Sequence, residues 1–161
     1  MIRNATPGDL PAIVSIYNAS IPGRMATADV SPVSVADRQG WFAEFEPGRR
    51  PLWVDDEDNV VVAWLSLRSF YGRPAYAETV EVSVYTDPAR QRRGHARLLL
   101  DHAIERGPAL RIYTLLAFTF AHNVPSVRLF TGAGFEPWGR LPGVARLDGI
   151  RRDLLILGRA L

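Results

Sequence analysis

Between residues 77 and 106 the chain changes periodicity across one tight turn. In 77–85, Thr79, Glu81, Ser83 and Tyr85 alternate with Val80, Val82 and Val84, the period-two pattern of a strand with two unlike faces. In 94–106, Ala96, Leu99, Leu100, Ala103 and Ile104 recur at helical spacing. The turn between them is crowded with charge: Arg90, Arg92, Arg93 and Arg97 fall within eight residues. The stretch 111–120 then runs apolar almost throughout, as a strand buried on both faces does. Strand, helix and buried strand in this succession predict a mixed α/β domain.

The flanking elements agree. Residues 2–5 read as a first strand. Thr6-Pro7-Gly8-Asp9 reads as a helix start, with Thr6 as cap, Pro7 at the first helical position and Asp9 completing an approximate capping box. Leu10, Ile13, Val14 and Tyr17 form the inner face of that helix, and Pro22-Gly23 ends it beyond Ser20. Ser34 with Asp37 opens a second helix with Trp41, Phe42 and Phe45 turned inward, stopped by Pro47-Gly48. Residues 51–55 and 60–67 flank a polar turn and read as a β-hairpin. A short helix at 123–133 is closed by Gly134, and 135–141 and 147–157 are the last two strands. Trp41, Trp53, Trp64 and Trp138 are expected to fill core and hairpin. The whole of 1–161 is predicted to be a single domain, with no internal repeat or linker.

Composition narrows the chemistry. All 19 basic residues are arginine, against 17 acidic ones, for a net charge of +2. Without lysine there is no Walker phosphate loop, Schiff base or serine–lysine dyad. Without cysteine there are no disulfides, thiolate zinc sites or cysteine nucleophiles. His95, His102 and His122 follow no metal-binding spacing, so no metal is expected. A charge of only +2 and the lack of an RNP-like motif argue against a nucleic-acid partner. No apolar run approaches the roughly 20 residues of a membrane span, and the start shows no signal-peptide core.

Gln91-Arg92-Arg93-Gly94-His95-Ala96 carries the spacing Q-x-x-G-x-A between a strand and a helix. Glycine there lets the backbone curl so that successive N–H groups face one concavity at the helix N-terminus, a seat for phosphate. Gly132-Ala133-Gly134 is no dinucleotide fingerprint, because it ends a helix instead of opening one. A second stretch, Asn123-Val-Pro-Ser126-Val-Arg-Leu-Phe130 followed by Gly134-Phe135, lies beyond the buried strand.

Together the two motifs and the element order resemble the GNAT (Gcn5-related) N-acetyltransferases. The stretch 76–85, Asn123-x-Pro-Ser-Val-Arg-Leu and the start of the chain look like the phosphinothricin and methionine sulfone/sulfoximine acetyltransferase branch. The resemblance covers nearly the whole chain and implies the acyl-CoA N-acyltransferase fold, α/β (α+β), with a mixed sheet of six to seven strands and about four helices. It implies acetyl-CoA as co-substrate, a small-molecule primary amine as acceptor, and a cytoplasmic enzyme of a family often dimeric. Pantetheine would pair with the main chain at Val82, Val84, Tyr85 and Thr86, like an added strand. The pyrophosphate would lie over Gln91, Arg92, Arg93, Gly94, His95 and Ala96, with Arg90 and Arg97 adding charge nearby, and Asn123 and Ser126 would approach the pantetheine arm.

Glu81 lies where this branch carries its general base, needed because a protonated amine cannot attack a thioester. A backbone N–H in 82–85 would receive the developing negative charge on the carbonyl oxygen. For an amino-acid carboxylate the resemblance favours Arg73 and Tyr76, and Arg68 and Arg24 are loop arginines suited to the same task. Two departures stand out. Phe130 occupies the position of a proton-donating tyrosine or histidine, and Arg151-Arg152-Asp153 replaces a Trp-His-Asp stretch. They leave a second expectation open, a GNAT-fold module that binds CoA without catalysis.

Overall fold

The computed structural model describes residues 1–161. Its strands are β1 (Ile2–Asn4), β2 (Leu52–Glu57), β3 (Val60–Ser69), β4 (Thr79–Thr86), β5 (Thr114–Phe120), β6 (Glu136–Leu147) and β7 (Ile150–Ala160). Its helices are α1 (Leu10–Ser20), α2 (Val35–Ala43), α3 (His95–Arg106) and α4 (Val124–Gly132). The strands form one seven-stranded sheet in the order β1-β2-β3-β4-β5-β7-β6. Neighbours are antiparallel except β4 and β5, which are parallel. No helix is long and apolar enough to cross a membrane.

The two faces of the sheet bury different sets of side chains. The alternation in β4 sends Val80 and Val82 to one face, where they meet Leu65 and Leu67 of β3 and Leu99, Leu100 and Ala103 of α3. Phe130 of α4 and Phe135 close the same core. On the other face Ile13 and Ile16 of α1 pack on Leu52, Val54 and Trp64, with Trp41, Phe42 and Phe45 alongside. The predicted helix starts are seen. Asp9 accepts from the Thr6 N–H at 2.7 Å, and Ser34 and Asp37 exchange reciprocal hydrogen bonds at 3.0 Å.

Three expectations change. The last hairpin turns at Asp148-Gly149, both at positive φ, so β6 continues through the predicted gap and β7 starts at Ile150. Pro142-Gly143 does not end β6 because the pairing with β7 shifts register there, and β6 is an edge strand whose missing N–H costs no ladder bond. The buried strand begins at Thr114, not 111, because Arg111 is left-handed (φ 55°). Trp138 fills no core. It is 49% exposed and lies flat over Gly158, where any Cβ would strike its ring.

Candidate active site

The sheet opens at one place. β4 is paired with β3 all the way to Thr86↔Ala63, but with β5 only over Thr79↔Thr114, Val80↔Leu115 and Glu81↔Leu116. Beyond Glu81 the two parallel strands part, leaving a wedge at their C-terminal ends. Ligands of open α/β sheets bind at such ends.

Glu81 stands at the apex of the wedge. Its side chain is half-buried on the α1/α2 face, and its carboxylate makes no hydrogen bond within the chain. Burial pushes this carboxyl above the ordinary range, and the charge of Arg68, its partner across the β3–β4 ladder, draws it partly back. A half-buried, unbonded carboxylate of raised proton affinity is the form a general base takes at neutral pH.

Of the residues that follow, Val82, Val84 and Tyr85 spend their side chains on packing. Val82 is buried and Val84 partly buried against the α3 core. Tyr85 stacks on Trp64 with centroids 4.7 Å apart, meets Tyr17 edge-on, and donates to the Ala26 carbonyl at 3.3 Å. Burial drives the Tyr85 hydroxyl far above its usual range, so it stays neutral. The hydrogen-bonded pairs of the β3–β4 ladder fall on odd positions of β4, as Phe70 with Thr79 and Val62 with Asp87 show, so the main chain of Tyr85 is spent on β3. It is the main chain of Val82, Val84 and Thr86 that faces the wedge, and the expected main-chain contact at Tyr85 is therefore not available.

The turn after β4 presents main chain as well. Arg92 (φ 61°) and Gly94 (φ 91°) are left-handed, and none of the N–H groups of residues 91–97 is hydrogen-bonded within the chain. Gln91, Arg92, Arg93 and Gly94 are exposed, Ala96 is half-buried, and a Cβ at Gly94 would meet open space. A row of unpaired donors at a helix N-terminus, as here on α3, has the geometry and partial positive charge that suit an anion. Of the arginines around it, Arg92 and Arg93 carry no ion pair, whereas Arg90 is paired with Glu57 at 3.0 Å and Arg97 with Asp101 at 2.8 Å. His95 contributes its N–H, but its ring is buried under the turn, with Nδ1 2.9 Å from Asp55.

The α1–α2 loop roofs the wedge. Asn123 caps α4 by accepting from the Ser126 N–H (3.2 Å), and its amide donates to the Met25 carbonyl (3.0 Å). His122 lies 2.9 Å from the Arg24 carbonyl. Asn123 therefore holds the roof, the Ser126 N–H fixes the Asn123 side chain from within α4, and the second hydrogen of the Asn123 amide has no partner in the chain. Tyr17 is bonded to Thr27 and Asp29, and Arg38 pairs with Asp29 and covers the Tyr17 ring at 4.7 Å. Phe130 is 4% exposed and edge-on to Phe135, so it faces core and not wedge.

The four substrate candidates separate. Arg24 is committed to Asp148 at 3.0 Å and to the Ile21 and Val30 carbonyls. Arg68 adjoins Glu81 and makes an exposed ion pair with Glu44 at 3.1 Å. Arg73 is exposed and unpaired, and Tyr76 packs with Phe70 and Tyr71 in the exposed β3–β4 loop. Beside Arg68 lies an open cleft of about 170 Å³ lined by Glu44, Phe45, Arg49, Arg50, Leu67 and Ser69. Arg50 was not anticipated from sequence. It is 5% exposed, donates to Ser69 Oγ (2.8 Å) and to the Arg49 and Ala77 carbonyls, and has no carboxylate partner. A charged pair directly before an apolar strand was the available signal.

A seven-stranded sheet split beside a lone carboxylate, with an unpaired amide row at the next helix, defines an acyl-CoA-type transferase. The profile described as the acetyltransferase (GNAT) family matches residues 12–135, and the chain belongs to that family. It is 49% identical over 161 residues to YwnH of Bacillus subtilis (strain 168), provisionally named a phosphinothricin acetyltransferase, covering 99% of this chain and 98% of that one. It is 32% identical to the L-methionine sulfoximine/L-methionine sulfone acetyltransferase of Pseudomonas paraeruginosa, over 97% of this chain and 91% of that one. The crystal structure of a GNAT superfamily phosphinothricin acetyltransferase from Sinorhizobium meliloti in complex with AcCoA superposes with a TM-score of 0.93 at 26% identity, covering 100% of this chain and 88% of that one.

Proposed function

We propose that the protein acetylates the primary amine of a small carboxylate-bearing molecule, an amino acid or analogue of the phosphinothricin or methionine sulfone/sulfoximine kind, with acetyl-CoA as donor and Glu81 as general base. The observation that carries this reading is Glu81 at the apex of the wedge, half-buried and unbonded. The names of the relatives support the substrate class.

Acetyl-CoA supplies the thioester carbonyl on which the amine closes. The main chain of Val82, Val84 and Thr86, facing the wedge, suits amide pairing with an extended arm, and the free N–H groups of 91–97, with Arg92 and Arg93, suit a pyrophosphate. Glu81 takes the proton of the incoming ammonium, directly or through a water. A backbone N–H between Val82 and Tyr85 receives the negative charge that grows on the carbonyl oxygen. Phe130 has no proton to give the departing sulfur, so water supplies it. Arg68, with Arg50 and Arg49 behind it, receives the substrate carboxylate one strand away from the base, and Arg73 and Tyr76 close over it from the β3–β4 loop.

Calorimetry with acetyl-CoA, followed by a thiol-release screen over amino acids, their sulfone and sulfoximine analogues, aminoglycosides and polyamines, tests the reading. Saturable binding with thiol release on a carboxylate-bearing amine is the expected result. No binding at millimolar acetyl-CoA overturns it. Binding without release on any amine identifies a CoA-binding module instead, the outcome the buried Phe130 would favour.

Arg68→Gln is expected to move the acid limb of the kcat/KM profile to higher pH. Arg68 lowers the proton affinity of Glu81, so removing its charge lets burial raise that affinity further and more alkaline solution is needed to free the base. The same variant raises the KM of the amine. A pH–rate series on wild type and variant checks both.

A further inference from the structure

We infer that Asp55 is a positioning residue for the co-substrate: through His95, and in concert with the Glu57–Arg90 pair, it clamps both ends of the pyrophosphate turn onto β2. The inference rests on the reading of 91–97 as the pyrophosphate seat.

Asp55 is 2% exposed in a strand whose preceding residues, Leu52, Trp53 and Val54, are all buried. A carboxylate in such a place is costly unless it is paired. One oxygen lies 2.9 Å from His95 Nδ1, the other 3.0 Å from the Met1 ammonium. Burial alone would push this carboxyl up, but the bonds to His95 and the ammonium hold it below the usual range. His95 is the first residue of α3 and is 7% exposed, so its ring fixes where the helix begins. Its Nε2 has no hydrogen-bond partner and lies 3.7 Å from Glu57. Glu57, two residues along β2, binds Arg90, the last residue before the turn, at 3.0 Å.

The residues on either side of 91–94 are thus each held by an acid of the same strand. Between them the one hydrogen bond runs from the Leu98 N–H to the Gly94 carbonyl (2.9 Å), which ties the end of the turn to α3 and so to the His95 anchor. No N–H of 91–97 is bonded, the side chains of Gln91, Arg92 and Arg93 make no hydrogen bond, and Arg92 and Gly94 occupy left-handed backbone. The direction in which the amide row points is therefore set from β2, by side chains that touch no substrate.

The test is acetyl-CoA calorimetry with steady-state kinetics on Asp55→Ala, His95→Leu, the double variant and His95→Asn, each checked by melting curve. Asp55→Ala and His95→Leu should each raise the Kd and KM of acetyl-CoA about tenfold, with kcat at saturation within twofold and the amine KM unmoved. The double variant, which leaves an apolar pair, should be no weaker than either single one, because both remove the same link. His95→Asn, which keeps a donor near the Nδ1 position, should recover most of the affinity. Folded variants with wild-type Kd overturn the clamp. Failure of the wild type to bind overturns instead the reading of 91–97. Should the buried variants not fold, the surface arm decides: Glu57→Gln is expected to weaken acetyl-CoA about threefold, and no change overturns the clamp.

Discussion

Glu81→Gln should lower kcat/KM for the best amine at least a hundredfold at neutral pH and, at the same time, raise the melting temperature. The rate loss follows from the role of the carboxylate, since a positioned base contributes about 10²–10⁴-fold and the amide that replaces it takes no proton. The gain in stability follows from linkage. Burial raises the proton affinity of Glu81 in the folded chain above that in the unfolded chain. Its contribution to stability is therefore fully present below the unfolded value and is lost as pH rises through the folded one. Once ionised, Glu81 of the wild type is a half-buried charge without a hydrogen bond, and glutamine removes it at nearly constant volume. The wild-type rate falls as the solution is acidified through the raised value of Glu81, and the variant lacks that limb. Opposite signs for activity and Tm distinguish a catalytic carboxylate from a structural one. A pH–rate series and thermal melts of the two proteins measure both, and an unchanged rate removes the base from the mechanism.

Gly94→Ala should raise the KM of acetyl-CoA by tenfold or more and cost roughly 1–2 kcal/mol of stability, the penalty of a left-handed L-residue. Space is not the reason, because a methyl at Gly94 meets no atom. The backbone is: φ 91° is readily available to glycine alone, and relaxing it turns the N–H groups of residues 93–97 away from one another. Urea denaturation gives the stability change and initial-rate kinetics the KM. A tenfold loss of affinity without a matching loss of kcat places the effect in cofactor binding.

Much of this was legible in the sequence because short-range rules governed it. The alternation around Glu81, the caps at Thr6 and Ser34 and the glycine of the charged turn each express a local preference, and tertiary structure did not override them. What escaped was non-local. Arg97 was read as charge for a phosphate, although Asp101 four residues on is its natural helical partner. The expected strands 135–141 and 147–157 leave a gap that contains Pro142-Gly143, whereas β6 runs through it, since a proline's missing N–H is harmless on an edge strand and strand order is not written in the residues. The true turn, Asp148-Gly149, carried the hairpin signal. Arg50 and Asp55 become meaningful only once β2 is set beside β3 and under α3. Buried charges of this kind look like ordinary surface residues until their neighbours are known.

The forked sheet also has a mechanical meaning. Strands β1–β4 form one plate and β5–β7–β6 another, joined along their shared edge by three consecutive residue pairs that end at Glu81. Two plates hinged along a short seam move least at the seam and most at the far lip. Glu81 sits on the seam, so under the proposed function a bulkier amine that spread the plates would shift the mouth of the wedge, bridged by the Arg24–Asp148 and Asn123–Met25 contacts, more than the proposed base. Tolerance for differently shaped acceptors and accuracy at the reacting atoms are then properties of different parts of one joint.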